Sequence, residues 1–240
     1  ISLAAEENIE KVAFVVIDVP QALTGFEGET PAATEALAAA GIEYDLIKVP
    51  VGTADMTQQM QSITNSDAEL VYVVGNDAFC IAAFNGLAAT GYTGSIAATS
   101  HCVTDATREA VDGSVLDGMH ITALVAEGGN DESVHLYEAI MERFAPDANA
   151  ADPYPMSAYA VTGALLTALE GLTGEVTAET ANAAIKAMEL SVIPATAGME
   201  FKCDGTASTT NPSVCTNQVL SAVLNAEGYP ATYSVSDLPS

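Results

Sequence analysis

The sequence predicts an α/β fold, in which a parallel-sheet lobe of βαβ units is joined to a helical segment without a sheet of its own. Three observations predict it. The first half of the 240-residue chain alternates apolar runs with helical segments through short connections, which is typical of βαβ units. The first of these runs, VAFVVID (12–18), is continuous, as expected for a strand buried on both faces. From about residue 127 the pattern changes to helices with no strong strand between them.

Five apolar runs are the predicted strands: VAFVVID (12–18), IEYDLIKV (42–49), AELVYVVG (68–75), GSIAAT (94–99) and GMHITALVA (118–126). The predicted helices between them are TPAATEALAAAG (30–41), TADMTQQMQSITN (53–65), DAFCIAAFNGLAATG (77–91) and VTDATREAV (103–111). Right-handed crossovers place the carboxyl ends of all parallel strands on one edge of the sheet, where ligands bind. Residues 18–21, 75–77 and 99–101 should therefore lie together.

The second half contains three predicted helices. The first, DESVHLYEAIMERFAP, is amphipathic, with an apolar stripe of Val134, Tyr137, Ile140, Met141 and Phe144. The second, PMSAYAVTGALLTALEGL (155–172), is almost wholly apolar and has to be buried against something, yet this half offers no sheet. The third is TAETANAAIKAMEL, and the final residues predict one or two strands with a turn at AEGYP. We therefore predict an α/β domain over residues 1–125, to which residues 216–240 return, and a helical segment with a cysteine loop over residues 126–215.

The composition is strongly acidic. Thirty-two acidic residues against six basic ones give a formal charge of −26, which argues against nucleic acid and against an anionic membrane surface as partners. The acids are scattered, which indicates a solvated surface, and adaptation to high salt is a second interpretation. No apolar run reaches the roughly 20 residues that span a bilayer.

The four cysteines are Cys80, Cys102, Cys203 and Cys215, which allow three pairings. FKCDGTASTTNPSVC encloses a short loop between two cysteines, so a Cys203–Cys215 disulfide is the natural interpretation, and it implies an oxidising compartment. Cys80 and Cys102 each follow a strand end, and their strands are predicted neighbours. Their Cα atoms then fall within the roughly 7 Å limit of a disulfide, so we predict a second bridge that pins two loops together.

The order of elements resembles the second half of the type I periplasmic solute-binding proteins, in the branch that serves branched-chain amino-acid ABC transporters. The correspondence runs through KVAFVVID, GIEYDLIKVPVGTADMTQQMQSI, AELVYVVG, AATGYTGSIAATS, LDGMHITA and ADPYPMSAYAVTGALLTAL. In that family a first lobe of over a hundred residues precedes these elements, and nothing here corresponds to it. The resemblance therefore implies that the helical segment belongs to an incomplete first lobe, and that a missing first-lobe segment or another copy covers residues 127–200.

The resemblance implies a bacterial, extracytoplasmic receptor, either secreted or tethered to the membrane. Such a receptor closes two lobes around a small solute and delivers it to a membrane ABC permease, and it does no chemistry. It implies a small polar solute, an amino acid or a related compound, and no cofactor or metal. An extracellular ligand-sensing domain of a receptor shares the fold and is the alternative.

The resemblance also carries over site positions. In that family the solute's ammonium meets an acidic residue and aromatics of the second lobe. The aromatic positions fall at Gln21, Asn76 and Tyr154, and the acidic position falls at Ser100, so only Tyr154 matches in type. A buried ammonium without a counter-charge is costly, and Asp77 is the candidate replacement. His101 completes the predicted ligand-binding set, because it follows Ser100 at the same strand end.

Four of these residues also have a simpler interpretation, and for Tyr154 it is packing under the helix that it introduces. Asp77 serves equally well as the N-cap of the helix it precedes, Ser100 as a turn residue, and His101 as a partner of loop carbonyls. A metal site built from Asp77, Cys80, His101 and Cys102 is an alternative to the second disulfide. A hydrolase that uses Ser100 and His101 is the enzyme alternative, but the sequence has no GxSxG elbow, P-loop or HExxH motif.

Overall fold

The computed structural model describes residues 1–27, 31–208 and 211–238, so Thr30 of the first predicted helix lies outside the described residues. The helices are α1 (Ser2–Glu6), α2 (Pro20–Leu23), α3 (Ala32–Ala40), α4 (Thr57–Thr64), α5 (Asp77–Thr90), α6 (Asp105–Ala110), α7 (Gly113–Leu116), α8 (Glu132–Phe144), α9 (Pro153–Ala168) and α10 (Ala178–Ala187). The strands are β1 (Lys11–Ile17), β2 (Glu43–Val49), β3 (Leu70–Val74), β4 (Ser95–Thr99), β5 (His120–Ala123), β6 (Ser191–Val192), β7 (Glu200–Phe201), β8 (Gln218–Leu224) and β9 (Pro230–Asp237). A short 3₁₀ helix covers Ser100–Cys102.

The chain forms two compact units. Unit 1 consists of Ile1–Thr122 and Ala222–Thr232, and unit 2 consists of Ala123–Ser221 and Tyr233–Ser240. The central part of the tail thus belongs to unit 1, and the remainder of residues 216–240 belongs to unit 2. The correspondence of these units to the lobes of a binding protein stays a prediction.

Five parallel strands form the sheet of unit 1. Strands β1 to β5 pair in the order β2-β1-β3-β4-β5, and β8 and β9 extend the sheet beyond β5. The mixed α/β fold with a mostly parallel sheet is the predicted fold class, which is confirmed. The fifth strand is shorter than the predicted run of residues 118–126, because β5 ends at Ala123.

Strand β1, in the interior of the sheet of unit 1, is buried on both faces. Val12, Phe14 and Val16 of β1 share one face and pack with residues of α1, α2 and α3, among them Leu37. The intervening residues, Ala13 and Val15, point to the opposite face and are fully buried. Continuous apolar strands of this kind require cover on both faces, which is why the sequence pattern predicted them.

Helices dominate unit 2. Val134 and Tyr137 of α8 pack with Met156 and Ala160 of α9 in one apolar cluster. The predicted apolar stripe of α8 is packed only in part within unit 2, because Ile140 is 37% exposed and Phe144 is 78% exposed. A two-stranded antiparallel sheet of β6 and β7 follows α10, and the sequence did not reveal it.

The strands β8 and β9 are joined by a tight turn at the predicted AEGYP segment. The Asn225 N–H donates to the Tyr229 carbonyl at 2.9 Å, and the Tyr229 N–H donates to the Asn225 side chain at the same distance. Gly228 has a φ of 77°, a conformation that glycine adopts at no steric cost. Among the described residues, no helix has both the length and the apolar character to cross a membrane.

Candidate functional site

The carboxyl ends of the parallel strands of unit 1 meet at one edge of the sheet, which we call the carboxyl edge. Val16 of β1 pairs with Val74 of β3, and Thr99 of β4 pairs with Thr122 of β5. Val73 pairs with Ala98, which aligns β3 with β4. The segments that follow β1, β3 and β4 therefore leave the sheet side by side.

Five of the six predicted ligand-binding residues lie on these segments. Gln21 is in α2, Asn76 and Asp77 begin α5, and Ser100 and His101 are in the 3₁₀ helix. The sixth, Tyr154, lies in the first turn of α9 in unit 2 and is 54% exposed. The fold thus accounts for the placement of the five residues, and their role in binding stays a prediction.

Asn76, and not Asp77, caps helix α5. The Asn76 side chain accepts a hydrogen bond from the Phe79 N–H at 3.0 Å, which satisfies a donor that the helix itself leaves unpaired. The interpretation of Asp77 as the N-cap is therefore wrong. Asp77 is the first helical residue, and its half-buried carboxylate accepts a hydrogen bond from the Ala78 N–H at 2.7 Å. A carboxylate in this position is favoured by the positive end of the helix dipole.

The turn between β3 and α5 is tight because a ring lies directly on it. A Cβ atom on Gly75 would come within 2.3 Å of the Phe79 ring, which is far inside any real contact distance. Phe79 is 4% exposed, so its ring has no room to withdraw. Glycine at this position therefore sets where Asn76 and Asp77 stand relative to the end of β3.

The structure contains both predicted disulfides, Cys80–Cys102 and Cys203–Cys215. The Cα atoms of Cys80 and Cys102 are 5.3 Å apart, and both residues are fully buried. Because these two sulfurs are bonded to each other, neither provides a thiolate for a metal. The described residues also contain no group of three or more His, Cys, Asp or Glu placed to hold a metal ion, so the proposed metal alternative has no support.

The 3₁₀ helix after β4 is held by buried polar contacts. The hydroxyl of Thr107, a fully buried residue, donates to the Cys102 carbonyl at 2.7 Å. The Ser100 carbonyl accepts a hydrogen bond from the Val103 N–H at 3.0 Å. Ser100 is 3% exposed, whereas His101 is half-buried. The segment that carries Ser100 and His101 is thus a compact turn.

The two lysines and the arginine of unit 1 are all engaged with carboxylates. Lys11 lies 3.1 Å from Asp45 and 2.8 Å from Asp67, Lys48 lies 2.8 Å from Glu27, and Arg108 lies 2.9 Å from Asp105. The carboxylate of Glu27 raises the pKa of Lys48, which keeps its ammonium charged. Unit 1 has no other lysine or arginine. It therefore offers acids, amides and hydroxyls at the carboxyl edge, and each of its lysines and its arginine has a carboxylate partner.

Sequence reasoning missed a hydroxyl pair near this edge. The Tyr72 hydroxyl donates to the Thr122 hydroxyl at 3.1 Å, and burial raises the pKa of Tyr72, so the donor stays protonated. Thr122 was hidden inside a run assigned as an apolar strand, and Tyr72 inside another. Side chains alternate between the two faces of a strand, and this alternation places Tyr72 on the same face as Phe14. This pattern is the sequence signal that could have located the Tyr72 hydroxyl.

A cavity of about 670 Å³ lies within unit 2, between the end of α9 and α10. Small and apolar residues line most of it, and none of the predicted ligand-binding residues is among them. The sequence analysis therefore did not predict this cavity, because no predicted ligand-binding residue lines it.

Comparison with known proteins identifies the family. A family model described as "Periplasmic binding protein" matches residues 2–213. A search of curated proteins gives no significant match.

Solved structures show the same fold at low identity. A putative branched-chain amino acid ABC transporter protein from Rhodospirillum rubrum superposes with a TM-score of 0.72 at 16% identity, covering 98% of this chain and 63% of that chain. A solute-binding protein from R. palustris in complex with 4-hydroxybenzoate gives 0.69 at 20% identity, covering 99% and 63%. A branched-chain amino acid ABC transporter protein from Thermus thermophilus with bound valine gives 0.68 at 16% identity, covering 100% and 63%.

This chain therefore spans less than two thirds of the length of each of these neighbours. Their similarity confirms the fold, and the family match confirms the resemblance that the order of elements indicated. The chain belongs to the periplasmic binding protein family.

Proposed function

We propose that this chain is part of an extracytoplasmic receptor that captures a small polar solute and delivers it to an ABC transporter permease, without chemical conversion. The observation that carries the proposal is the set of polar residues that three strands bring to the carboxyl edge of unit 1. In open parallel sheets, ligands bind outside the carboxyl ends of the strands. Two structural neighbours are solved with small solutes, valine in one and 4-hydroxybenzoate in the other, which supports a small-molecule ligand.

We further propose that unit 1 acts as the second lobe of the receptor and that unit 2 is part of the first lobe. The neighbours are longer than this chain, which supports the assignment of unit 2 as an incomplete lobe. Tyr154, in the first turn of α9, is the candidate solute contact from this unit. Tyr154 is 54% exposed, which leaves its side chain accessible to a solute.

The charges of unit 1 limit the part of the solute that it receives. The lysines and arginine of this unit are engaged with carboxylates, so a solute carboxylate would meet acids and find no cation free of a carboxylate partner. Asp77 and the amide of Asn76 instead suit an ammonium group or a hydroxyl. We therefore propose that unit 1 binds the cationic or neutral hydrogen-bonding end of the solute, with Asp77 as its counter-charge.

A binding experiment on matched variants tests this proposal. The chain is titrated with amino acids, the corresponding amines and the corresponding carboxylic acids, and binding is followed by thermal shift and by ¹H–¹⁵N NMR. We expect amino acids or amines to raise the melting temperature, since saturation to 100 times Kd adds about 2.7 kcal/mol of stability. NMR signals of Asn76 and Ser100 should move on binding.

The variant Asp77→Asn should weaken the binding of an ammonium by about tenfold or more, which corresponds to about 1.4 kcal/mol. Glu43→Gln is the matched control, because Glu43 is exposed at the start of β2, at the opposite edge of the sheet. If carboxylic acids bind and amines do not, the assignment of unit 1 to the cationic end is wrong. If no compound of the panel moves any signal of the carboxyl edge, this edge is not the solute site.

A second part of the proposal concerns the apolar surface of unit 2. Helix α8 exposes Leu136, Ile140 and Phe144, which recur every four residues and form one stripe. Helix α9 exposes Val161 and Leu165 in the same manner. We propose that a further polypeptide segment, equivalent to the part of the neighbours that this chain does not span, covers these stripes. A second copy is the other candidate, and mutual repulsion between chains of charge −26 opposes it.

Sedimentation of the chain with and without Phe144→Glu separates the two candidates. We expect a monomer that binds an apolar fluorescent dye, and we expect less dye to bind to the variant. Glu138→Gln, on the same helix and at an exposed position, is the control and should leave dye binding unchanged. A dimer that Phe144→Glu dissociates would show that a second copy covers the stripe.

A further inference from the structure

We propose that the Cys80–Cys102 disulfide is a positioning element of the solute site, which holds the two polar segments of the carboxyl edge at a defined separation. This inference rests on the proposed function of that edge. It assigns the bridge a direct part in solute affinity, beyond its contribution to stability.

The bridge joins the two segments that carry four of the predicted ligand-binding residues. Cys80 lies in the first turn of α5, and its N–H donates to the Asn76 carbonyl at 2.9 Å. Cys102 ends the 3₁₀ helix that begins at Ser100. The covalent link therefore connects a residue one turn from Asn76 and Asp77 with a residue two positions from Ser100.

The sulfur of Cys102 also sits against the end of the central strand. It lies 3.7 Å from the Val73 carbonyl oxygen and 3.9 Å from the Gly75 carbonyl oxygen. Both bridged residues are completely buried, so neighbouring atoms surround the sulfur atoms on all sides. The buried bridge thus links the turn after β4 to the turn after β3 at the carboxyl edge.

Each of the two segments is further anchored at its own end. Phe79 packs directly on Gly75, which sets the start of α5 relative to β3. The buried Thr107 hydroxyl holds the Cys102 carbonyl at 2.7 Å, which sets the 3₁₀ helix relative to α6. The bridge joins these two anchored segments. Loss of the bridge should let them separate while the sheet below stays formed.

The second disulfide is a matched control within the same chain. Cys203 and Cys215 close a loop of unit 2 and are half-buried, and none of the residues predicted to bind solute in unit 1 belongs to that loop. Removal of this bridge also removes one crosslink from the chain, so it reproduces the general effect of losing a disulfide. It leaves the carboxyl edge untouched.

The experiment compares Cys80→Ala/Cys102→Ala with Cys203→Ala/Cys215→Ala, using the amino acid or amine that binds the unmodified chain most tightly. Titrations are made below the melting temperature of every variant, and hydrogen exchange is followed at the amides of Phe79 and Val103. We expect the first variant to bind at least about tenfold more weakly and to exchange faster at both amides. The control should bind within about twofold of the unmodified chain.

Thr107→Val provides a second route in case the first variant does not fold. It keeps the disulfide and removes the hydroxyl that holds the Cys102 carbonyl, so we expect faster exchange at Val103 and a several-fold loss of affinity. Equal affinity of the unmodified chain and of the bridge-free variant would overturn the positioning role of the bridge. Equal affinity of the Thr107→Val variant would show that the position of the 3₁₀ helix does not affect solute binding, which would overturn the same inference. If the unmodified chain binds nothing at this edge, the proposed function fails, and this inference fails with it.

Discussion

Helices α5 and α9 are similarly apolar but have different surroundings. Both are long, and neither has a polar face that predicts which side is exposed. Helix α5 buries Phe79, Phe84 and Leu87, because α4 and the sheet of unit 1 lie against it. Helix α9 leaves Val161 and Leu166 exposed, at 70% and 66% of their surface. An apolar composition shows that a helix needs other elements to pack against it. The neighbouring elements of the fold decide whether that packing is present.

The size of this difference is considerable. Full burial of a side chain such as valine or leucine stabilises a protein by about 1.5–3 kcal/mol. Val161, Leu165 and Leu166 of α9 realise only part of this free energy in unit 2. A covering segment would recover it, which gives the proposal for the apolar stripes an energetic basis.

The largest expected effect comes from removing a buried side chain of α5, compared with an exposed side chain of α9. Phe84→Ala in α5 removes a side chain with no exposed surface and should lower the free energy of unfolding by about 3–5 kcal/mol. Leu166→Ala in α9 removes a side chain that is 66% exposed and should change it by about 0.5 kcal/mol or less. Urea denaturation followed by circular dichroism measures both. A loss of several kcal/mol for Leu166→Ala would mean that α9 is already covered.

A smaller effect is expected at the helix caps. Asn76→Ala removes the N-cap of α5, whose side chain holds the Phe79 N–H, and should destabilise unit 1 by about 1 kcal/mol. Thr177→Ala removes the N-cap of α10, where Thr177 and Thr180 form a reciprocal capping box. Because α10 has no buried residue, its first turn should open locally and the global unfolding should barely change. Asn76→Asp, which keeps an acceptor at the cap, is the control, and equal losses at the two caps would contradict the comparison.

The smallest effect concerns two exposed carboxylates whose pKa values lie below the ordinary 3.8 for different reasons. The Lys11 ammonium lowers the pKa of Asp67 in unit 1 through a hydrogen bond at 2.8 Å. The Thr206 hydroxyl and backbone N–H, followed by Lys202, lower the pKa of Asp204 in unit 2.

The sign of the linkage is the same for both groups. Because the folded pKa is below the unfolded one, each contribution is complete above the unfolded value and is lost as the pH falls through the folded value. NMR titration of the side chains measures both pKa values, and Lys11→Met should raise that of Asp67 without moving that of Asp204. Added salt should weaken the Asp67 shift more, since it depends on a charge. Equal responses of the two groups would show that Lys11 is not the main cause.

The sequence predicted the sheet lobe more accurately than the helical segment. A continuous apolar run such as residues 12–18 is a strong sequence signal, because it is typical of a strand that is buried on both faces. The predicted stripe of α8 is buried at Val134 but exposed at Phe144, since periodicity shows which residues share a face and does not show how much of that face is buried. At the carboxyl edge, the offsets of Cys80 and Cys102 from the strand ends were sufficient to predict the disulfide between them.

The amino-acid sequence by itself determined the α/β class, the order of the strands along the chain, the acidic composition and the presence of two cysteine pairs. These properties depend on local pattern and composition, which are readable without coordinates. Only the tertiary structure decided that Asn76 caps α5, that the Tyr72 and Thr122 hydroxyls meet and that the stripes of α8 and α9 stay exposed. The hydroxyl pair and the exposed stripes depend on residues that are distant in the sequence. The cap of α5 depends on which of two adjacent polar residues takes the N-cap position, and the packing of the helix against its neighbours decides this.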